Sequence, residues 1–257
     1  MTATLLPAII KIAEQAGEAI LAIYGRGQAA FKISAKSDDS PLTAADMAAH
    51  RLIVAELATL TPELPILSEE AADISWDIRK SWQRYWLVDP LDGTKEFIKR
   101  NGEFTVNIAL IDQGEPILGV VHAPVLAKTY YAAKGEGAFL KQAGGVRPIK
   151  VNQASRDKLV KVVGSRSHPS PDLAGYLAQF NQHEMVPVGS SLKFCLVADG
   201  TADVYPRFGP TMAWDTGAGH IVATEAGATV SFAGIDNKVY QREQLLNPNF
   251  IVSALRD

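Results

Sequence analysis

The chain of 257 residues has little cysteine, no long apolar run and no strong excess of either charge. Its one cysteine, Cys195, rules out an internal disulfide, and no Cys/His cluster offers a zinc site. Lys and Arg number 25 against 28 Asp and Glu, so the formal net charge is −3. Nucleic-acid polymers and acidic membrane surfaces would therefore find no general electrostatic attraction.

The apolar segments are too short or too interrupted for a membrane span of ~20 residues. The residues before Leu6 lack the basic region of a signal peptide, and Lys11 and Glu14 interrupt the apolar positions that follow. With 47% apolar and 21% charged residues, the composition is that of an ordinary globular protein, which excludes disordered and fibrous classes. The sequence predicts a soluble protein of a reducing cytoplasm, with Cys195 buried and inert.

The apolar periodicity predicts an α+β half followed by an α/β half. Helices are expected over residues 5–24 and from Thr43 to about Leu60, the second opened by a capping pair of Thr43 and Asp46. A cluster of Gly and Pro near residues 142–156 suggests a soft boundary, so we expect domains 1–150 and 151–257. The further strands and helices are expected at 65–68, 85–88, 106–111, 117–122, 129–133, 159–163, 172–180, 184–188, 191–198, 202–205 and 215–226.

Four acidic residues stand at the ends of two predicted strands. Glu69 and Glu70 follow one strand, and Asp89 and Asp92 in the run Asp-Pro-Leu-Asp-Gly-Thr follow the next. Each run alone is adequately explained as a turn. The carboxyl ends of strands share a crevice, however, and carboxylates gathered there repel one another unless a cation neutralises them. Oxygen ligands without His or Cys favour Mg²⁺, and neither an EF-hand nor a Walker loop fits.

A further acid, Asp215, lies in Trp-Asp-Thr-Gly-Ala-Gly and is expected to be the N-cap of a helix rich in small residues. A capping aspartate worth about 1 kcal/mol explains this motif on its own. Small residues after the cap would also let the helix start approach another group, so the same carboxylate could ligate a metal. Main-chain amides of Gly93 and Thr94 could hold a phosphate.

Glu69, the run Asp89–Thr94 and the run Trp214–Ala218 together resemble the signatures of the inositol monophosphatase superfamily, the lithium-sensitive Mg²⁺ phosphomonoesterases. A narrower resemblance, to its 3′(2′),5′-bisphosphate nucleotidase branch in the bacterial CysQ-type form, is carried by the runs 164–168, 189–200 and 205–210. The resemblance covers nearly the whole chain. It implies the layered αβαβα sandwich of inositol monophosphatase-like sugar phosphatases.

The resemblance also implies a mechanism with two or three Mg²⁺ ions. Thr94 would orient the attacking water or take its proton, with Asp46 behind it. The metal ligands would be Glu69, Asp89, the carbonyl of Leu91, Asp92 and Asp215, with Asp89 bridging two ions. The substrate would contact Glu69, Leu91, Asp92, Gly93, Thr94, His168, Ser190, Lys193, Arg207 and Asp215.

The candidate nucleotide-binding residues can also be explained by ordinary structural roles. Lys193 and Arg207 could supply cations for a second phosphate, and Ser190 could cap helix 191–198 and still meet an anion. Arg207 could equally be a surface charge, and His168 an ordinary loop residue. The aromatic residues Trp214, Tyr205 and Phe208 are expected to pack in the core, although one could stack on adenine.

These inferences favour an enzyme that removes the 3′-phosphate from adenosine 3′,5′-bisphosphate to give AMP, in a role related to sulfur assimilation. The alternative is the same chemistry on inositol phosphate or another sugar phosphate. A metal-binding protein without turnover is a further alternative, and it would keep the acidic residues but lack catalysis. A structural domain is another, and it would require both long motifs to be accidental turns and caps. The resemblance further implies a cytoplasmic location, allows peripheral association with the inner membrane, and leaves monomer and homodimer open.

Overall fold

A computed structural model of the protein describes residues 2–28, 31, 33–35, 41–165 and 171–256. The α-helices in these ranges are α1 (Leu6–Tyr24), α2 (Ala44–Leu60), α3 (Trp76–Arg79), α4 (Thr94–Lys99), α5 (Pro171–Leu177), α6 (Leu192–Ala198) and α7 (Ala213–Glu225). The strands are β1 (Ser34–Ala35), β2 (Pro41–Leu42), β3 (Ile66–Ser68), β4 (Arg84–Asp92), β5 (Thr105–Asp112), β6 (Glu115–Ala123), β7 (Lys128–Ala133), β8 (Gly137–Gln142), β9 (Gly145–Ile149), β10 (Leu159–Ser165), β11 (Gln182–Val188), β12 (Val204–Arg207), β13 (Thr229–Phe232) and β14 (Phe250–Ser253). Short 3₁₀ helices cover Thr2–Leu5 and Glu69–Ala71.

The larger sheet has seven strands in the order β3-β4-β5-β6-β7-β8-β9. Only β3 and β4 run parallel in it, and the other neighbours are antiparallel, so the expected meander is confirmed. The sequence pattern missed β8 and β9. The glycines and the proline that suggested a boundary belong to this hairpin: Gly144 lies in its turn, and Pro148 sits on the edge strand, where a residue without an N–H is tolerated.

The smaller sheet has five strands in the order β11-β10-β12-β14-β13. The first three run parallel, with helices in the connections, as the α/β pattern predicts. The last two strands are antiparallel to their neighbours. The carboxyl ends of β10, β11 and β12 are therefore gathered at one edge of this sheet, where loops can build a site.

The elements stack in five layers. Helices α1 and α2 cover one face of the seven-stranded sheet. Helices α6 and α7 fill the space between the two sheets. Tyr176 and Leu177 of α5 pack against Val160 and Val204 on the outer face of the five-stranded sheet. The αβαβα sandwich expected from the resemblance is confirmed.

One core lies between the two sheets and includes residues of both, among them Leu87, Ala109, Val163 and Tyr205. The strands of the larger sheet come from residues 66–149 and those of the smaller sheet from 159–253. The division into domains at residue 150 stays a prediction. Across the described part of the chain, every helix is too short or too polar to cross a membrane.

Candidate metal and phosphate site

Strand β4 ends in a bulge that turns two aspartates the same way. Asp89 pairs with Asn107 and Asp92 with Thr105, so three residue steps on β4 oppose two on β5. Residues three apart would point to opposite faces of a regular strand, and the extra residue of a bulge restores a common direction. Pro90, which has no N–H, fits at this break in the ladder. Both carboxylates therefore line one cleft.

Asp215 reaches the same cleft from the start of α7. The sequence analysis expected Asp215 to be the N-cap of this helix, and that prediction was wrong. Met212 is the N-cap, and Asp215 is the third residue of the helix. Its Oδ2 accepts the main-chain N–H of Met212 at 2.9 Å, which satisfies a donor of the first turn. The small residues behind it do allow close packing, since a Cβ on Gly219 would lie 2.6 Å from Cγ of Phe194 in α6.

Asp89, Asp92 and Asp215 form what we call the carboxylate cluster. Their ligand oxygens lie within 4.8 Å of one another. Burial raises the pKa of Asp89 well above its usual value, and the charges of Glu69, Asp92 and Asp215 raise it further. Burial also raises the pKa of Asp215, with Asp92 and Glu69 adding to the effect. This concentration of negative charge and hard oxygen donors fits a divalent cation such as Mg²⁺.

Two further predicted ligands adjoin the carboxylate cluster. Glu69 begins the 3₁₀ helix after β3, and its carboxyl group hydrogen-bonds that of Asp89. Leu91 lies inside the bulge, where its N–H donates to Oδ1 of Asp89 at 3.1 Å. Asp89 therefore interacts with Glu69 as well as with Asp92 and Asp215, in keeping with its predicted role as a bridging ligand.

Thr94 and Asp46 meet as the sequence analysis expected. The Thr94 hydroxyl lies 3.3 Å from Oδ1 of Asp46 and 3.3 Å from the carbonyl of Leu91. Oδ2 of Asp46 accepts the N–H and the hydroxyl of Thr43, at 2.8 and 2.5 Å, which confirms the capping pair at the start of α2. One carboxylate therefore serves the helix with one oxygen and Thr94 with the other.

Ser190 does not cap α6, because the helix begins one residue later than expected. Ser191 is the N-cap, and the Ser190 backbone adopts a left-handed conformation with φ of 49°. The Ser190 hydroxyl lies 3.4 Å from the N–H of Leu192. Its side chain still lines the cleft beside Gly93.

Two cationic side chains also line the cleft. Lys193 is buried, its ammonium donates to the carbonyl of Ser190 at 2.6 Å, and it lies 5.6 Å from the ring centre of Tyr205. Burial lowers the pKa of Lys193 to about 8, despite the opposing charges of nearby carboxylates. Arg207 donates from Nη2 to the carbonyl of Pro210 at 2.7 Å, and its buried Nε has no partner among the described residues.

The aromatic residues near the site are packed. Tyr205 is buried and meets the rings of Phe194 and Phe250 edge-on. Trp214 is buried at the start of α7. Phe208 contacts Tyr176 edge-on at 5.6 Å. These contacts support packing roles for all three predicted aromatics. Cys195 is buried in α6, and burial raises the pKa of its thiol, as expected for an inert cysteine.

The cleft has a volume of about 300 Å³. Apart from Asp46, which lies behind Thr94, every predicted metal or substrate residue that the structure describes lines it: Glu69, Asp89, Leu91, Asp92, Gly93, Thr94, Ser190, Lys193, Arg207 and Asp215. His168 lies outside the described residues. The cleft runs between the two sheets, where ligand pockets often form.

Sequence reasoning missed two residues of this site, Ser191 and Asn107. Both hydrogen-bond Oδ2 of the Asp92 carboxylate, and Asn107 also donates to the Ser191 hydroxyl oxygen at 2.9 Å. Asn107 had a signal, because it interrupts the otherwise apolar run of 104–111 together with Thr105. Ser191 was part of the quoted run 189–200, but nothing in that run distinguishes it from Ser190.

Comparison with known proteins gives a consistent result. The model of the inositol monophosphatase family matches residues 1–255. The chain is 54% identical over 250 residues to the 3′(2′),5′-bisphosphate nucleotidase CysQ of Salmonella typhimurium, covering 97% of this chain and 99% of that protein. It resembles the crystal structure of CysQ from Bacteroides thetaiotaomicron with a TM-score of 0.85 and 42% identity over 99% and 98% of the two chains. The inositol monophosphatase of Thermotoga maritima follows with a TM-score of 0.77 and 27% identity over 97% and 91%.

Proposed function

The chain belongs to the inositol monophosphatase family, and we propose that it is a Mg²⁺-dependent 3′(2′),5′-bisphosphate nucleotidase that hydrolyses adenosine 3′,5′-bisphosphate to AMP and phosphate. The observation that carries this proposal is the convergence of Asp89, Asp92 and Asp215 in a cleft that also holds Lys193 and Arg207. An acidic pole suits a metal-bound phosphoryl group, and a cationic pole suits a second phosphate. The names of the nucleotidase relatives support this substrate over a sugar phosphate.

The ligands proposed for two or three Mg²⁺ ions are Glu69, Asp89, the Leu91 carbonyl, Asp92 and Asp215. When bound, the ions would stabilise charge on the phosphoryl group and make hydroxide available near neutral pH. The raised pKa values of Asp89 and Asp215 support this assignment, because burial disfavours their charged forms and repulsion from the neighbouring carboxylates disfavours them further. Neutralising that repulsion favours cation binding.

The proposed proton route runs from the attacking water to Thr94 and Asp46. Thr94 Oγ1 accepts the proton of the water as its own proton passes to Oδ1 of Asp46, 3.3 Å away. A hydroxyl is a poor base unless an acceptor stands behind it. Asp46 is fully buried, and its other oxygen is fixed by Thr43, so Oδ1 is held toward Thr94.

The substrate is held at two ends in this proposal. Main-chain amides of Gly93 and Thr94 bind the phosphoryl oxygens beside the carboxylate cluster. Lys193 and Arg207 bind the second phosphate, since both line the cleft and carry charged N–H donors, of which Lys193 uses one on the carbonyl of Ser190. Ser190 and His168 complete the proposed nucleotide contacts.

The proposal carries expectations beyond the site. We expect inhibition by lithium, a role in sulfur metabolism, where the nucleotide substrate is a by-product of sulfur assimilation, and a cytoplasmic location. We expect a small-molecule substrate rather than a nucleic-acid polymer or a lipid, because the cleft is small and is lined by both acidic and cationic side chains.

Phosphate release from adenosine 3′,5′-bisphosphate and from inositol 1-phosphate tests the proposal. With Mg²⁺, kcat/KM for the nucleotide should exceed that for the inositol ester by about 10²-fold or more, because the cationic pole is left unpaired by an ester with one phosphate. Asp92→Asn should lower the nucleotide rate by about 10³-fold, roughly 4 kcal/mol of transition-state stabilisation.

Asp77→Asn, at an exposed aspartate on α3, is the matched control and should keep the wild-type rate. Preference for the inositol ester would favour the alternative, a sugar-phosphate phosphatase. Equal rates for wild type and Asp92→Asn would remove the metal assignment.

A further inference from the structure

We propose that Ser191 is a positioning residue for the metal site, which fixes the Asp92 carboxylate and its separation from Asp215 before a cation binds. The inference rests on the proposed function, since it concerns the same metal ligands. Ser191 is the N-cap of α6, Asp92 is the last residue of β4 and Asp215 lies in the first turn of α7. It is the residue at which these three elements meet.

Ser191 touches both metal-ligand residues. Its main-chain N–H donates to Oδ2 of Asp92 at 2.5 Å, and its hydroxyl oxygen lies 2.6 Å from the same Oδ2. The hydroxyl oxygen also lies 2.6 Å from the carbonyl oxygen of Asp215. A hydroxyl has one proton, so it donates to one of these two acceptors at a time. The main-chain N–H holds Oδ2 of Asp92 whichever acceptor the hydroxyl chooses, and the hydroxyl adds a bond either to Asp92 or to the Asp215 main chain.

The hydroxyl of Ser191 serves the carboxylate rather than the helix. A serine at the N-cap normally accepts a hydrogen bond from an N–H of the first turn. Ser191 makes no such cap bond. Its hydroxyl is instead directed across the cleft floor to Asp92 and Asp215. A purely structural cap would show the opposite choice.

Asn107 orients the Ser191 hydroxyl from β5. Its Nδ2 donates to the Ser191 oxygen at 2.9 Å and lies 3.4 Å from Oδ2 of Asp92. Because Asn107 occupies a lone pair of that oxygen, the hydroxyl proton is directed toward the acidic side. Asn107 is buried, and its Oδ1 has no hydrogen-bond partner among the described residues, which lowers stability. The favourable contribution of this side chain is therefore the hydrogen bond that its Nδ2 donates to Ser191.

The turn before Ser191 is held in an unfavourable conformation that aims its N–H at Asp92. Ser190 adopts a left-handed φ of 49°, which is uncommon for a residue with a side chain. Lys193 holds its carbonyl at 2.6 Å, and Glu103 accepts the N–H of Gly189 at 2.9 Å. A Cβ on Gly189 would lie 2.6 Å from Cγ of Glu96 and 2.9 Å from the main-chain oxygen of Glu103, so a larger residue there would shift the turn or its neighbours.

These contacts predict how the carboxylate meets a cation. Among the described residues, the hydrogen bonds that reach the Asp92 carboxylate all end on Oδ2, which presents Oδ1 to the cleft. Without the Ser191 hydroxyl, repulsion from Asp89 and Asp215 would push the Asp92 side chain away. Removal of the Ser191 hydroxyl should therefore weaken cation binding more than it lowers the rate of the enzyme with its metal sites filled.

Isothermal titration with Mg²⁺ alone, on metal-stripped protein, measures this directly. Ser191→Ala should raise the Kd for Mg²⁺ by about tenfold or more, the usual effect of removing a group that orients a ligand, whereas Ser191→Thr should stay within about threefold. The Mg²⁺ concentration for half-maximal hydrolysis should rise by the same factor, while kcat at saturating Mg²⁺ changes little.

Thr61→Val is the matched control, because Thr61 accepts a hydrogen bond from Nε1 of Trp86 at 2.8 Å, at the end of α2. It also removes a buried hydroxyl, but it should lower the free energy of unfolding without changing the Kd. An unchanged Kd in Ser191→Ala, or an equal rise in Thr61→Val, would overturn the inference. If Ser191→Ala fails to fold, Asn107→Leu takes its place, and an unchanged Kd there would overturn it equally.

The wild-type titration separates the two proposals. Saturable Mg²⁺ binding by wild type with an unchanged Kd in Ser191→Ala refutes the positioning role alone. Wild-type protein that shows no saturable binding refutes the metal site itself, and the positioning role with it.

Discussion

Two cavities of similar volume, about 300 and 280 Å³, differ in whether their acidic side chains have basic partners or acidic neighbours. The second lies between α1 and strands β6 to β8 and is also lined by Glu18 and Gln142. Four of its other lining residues, Glu14, His122, Thr129 and Lys141, are named here the α1 cluster. There, Glu14 pairs with Lys141 at 2.7 Å, and Nδ1 of His122 meets the Thr129 hydroxyl at 2.9 Å. In the carboxylate cluster, acids face acids. An acid paired with a lysine in one cavity, against three acids gathered together in the other, distinguishes the structural pocket from the site built for a cation.

The comparison extends to a threonine in each cavity. Thr94 lies 3.3 Å from Oδ1 of Asp46, and the Thr129 hydroxyl lies 3.3 Å from Oε1 of Glu14. Both hydroxyls stand beside a carboxylate. Only Thr94 also lines the cleft with the carboxylate cluster, so only Thr94 is placed to act on a substrate.

The largest expected effect comes from removing one acid in each cavity. Asp89→Asn should lower kcat/KM for adenosine 3′,5′-bisphosphate by about 10³-fold or more, since Asp89 is proposed to bridge the ions. In metal-free buffer the same variant should be as stable as wild type or more stable, because a buried charge repelled by its neighbours is removed. Urea unfolding in EDTA measures the second effect.

Glu14→Gln should behave in the opposite way. It breaks the pair with Lys141, a partly exposed pair worth about 1 kcal/mol or less, and leaves activity within about twofold of wild type. The contrast between the two cavities would be wrong if Asp89→Asn unfolds at a lower urea concentration than wild type in EDTA. It would also be wrong if Glu14→Gln loses as much activity as Asp89→Asn.

A smaller effect is expected from the two threonines. Thr94→Val should lower kcat by about 10²-fold or more at saturating Mg²⁺, because it removes the group that passes the proton to Asp46. Thr94→Ser should restore most of the rate. Thr129→Val should leave kcat unchanged and lower the free energy of unfolding by about 1–2 kcal/mol, because it leaves Nδ1 of His122 without its partner.

Steady-state kinetics and urea unfolding on the three proteins decide between the threonine roles. A Thr94→Val enzyme with wild-type kcat would remove the proton route. A Thr129→Val enzyme that is slow but fully stable would show that the α1 cluster takes part in catalysis.

Local signals in the sequence were enough for much of the fold. The capping pair of Thr43 and Asp46, the meander and the alternating elements after residue 159 are confirmed, because each depends on residues close together in the chain. The hairpin of β8 and β9 was missed, because its glycines and Pro148 are also typical of a linker. The N-cap positions before α6 and α7 were each misassigned, since several adjacent residues could have filled them.

The site was predictable in its residues more than in its geometry. Acids at strand ends indicated a cation, but a spacing of three between Asp89 and Asp92 points them apart unless the strand bulges. That bulge is set by pairing with β5, which the sequence of β4 alone does not reveal. Ser191 and Asn107 were missed for the same reason, because their role exists only once β4, β5, α6 and α7 meet.

The smallest expected effect separates the two clusters by pH. Burial lowers the pKa of His122 from 6.5 to about 4, so between these values the unfolded chain binds one more proton than the folded chain. The α1 cluster thus contributes stability that is complete above pH 6.5 and is lost as the pH falls toward 4. The carboxylate cluster acts in the opposite direction in metal-free protein, because the raised pKa of Asp89 makes the folded state bind more protons.

The free energy of unfolding of wild type minus that of a His122→Gln variant isolates the contribution of the α1 cluster, because the carboxylate cluster is common to both proteins. The difference in the free energy of unfolding should fall by about 1.4 kcal/mol between pH 7.5 and pH 5.5, since the lower value lies one unit below the pKa of an unfolded histidine. Urea unfolding in EDTA at the two pH values measures it. Parallel pH profiles for the two proteins would mean that His122 titrates alike in both states, and that the α1 cluster is not a closed, charge-balanced core. Converging profiles, with the wild-type advantage shrinking in acid, would show that the folded protein keeps His122 neutral and that the α1 cluster loses stability as the pH falls.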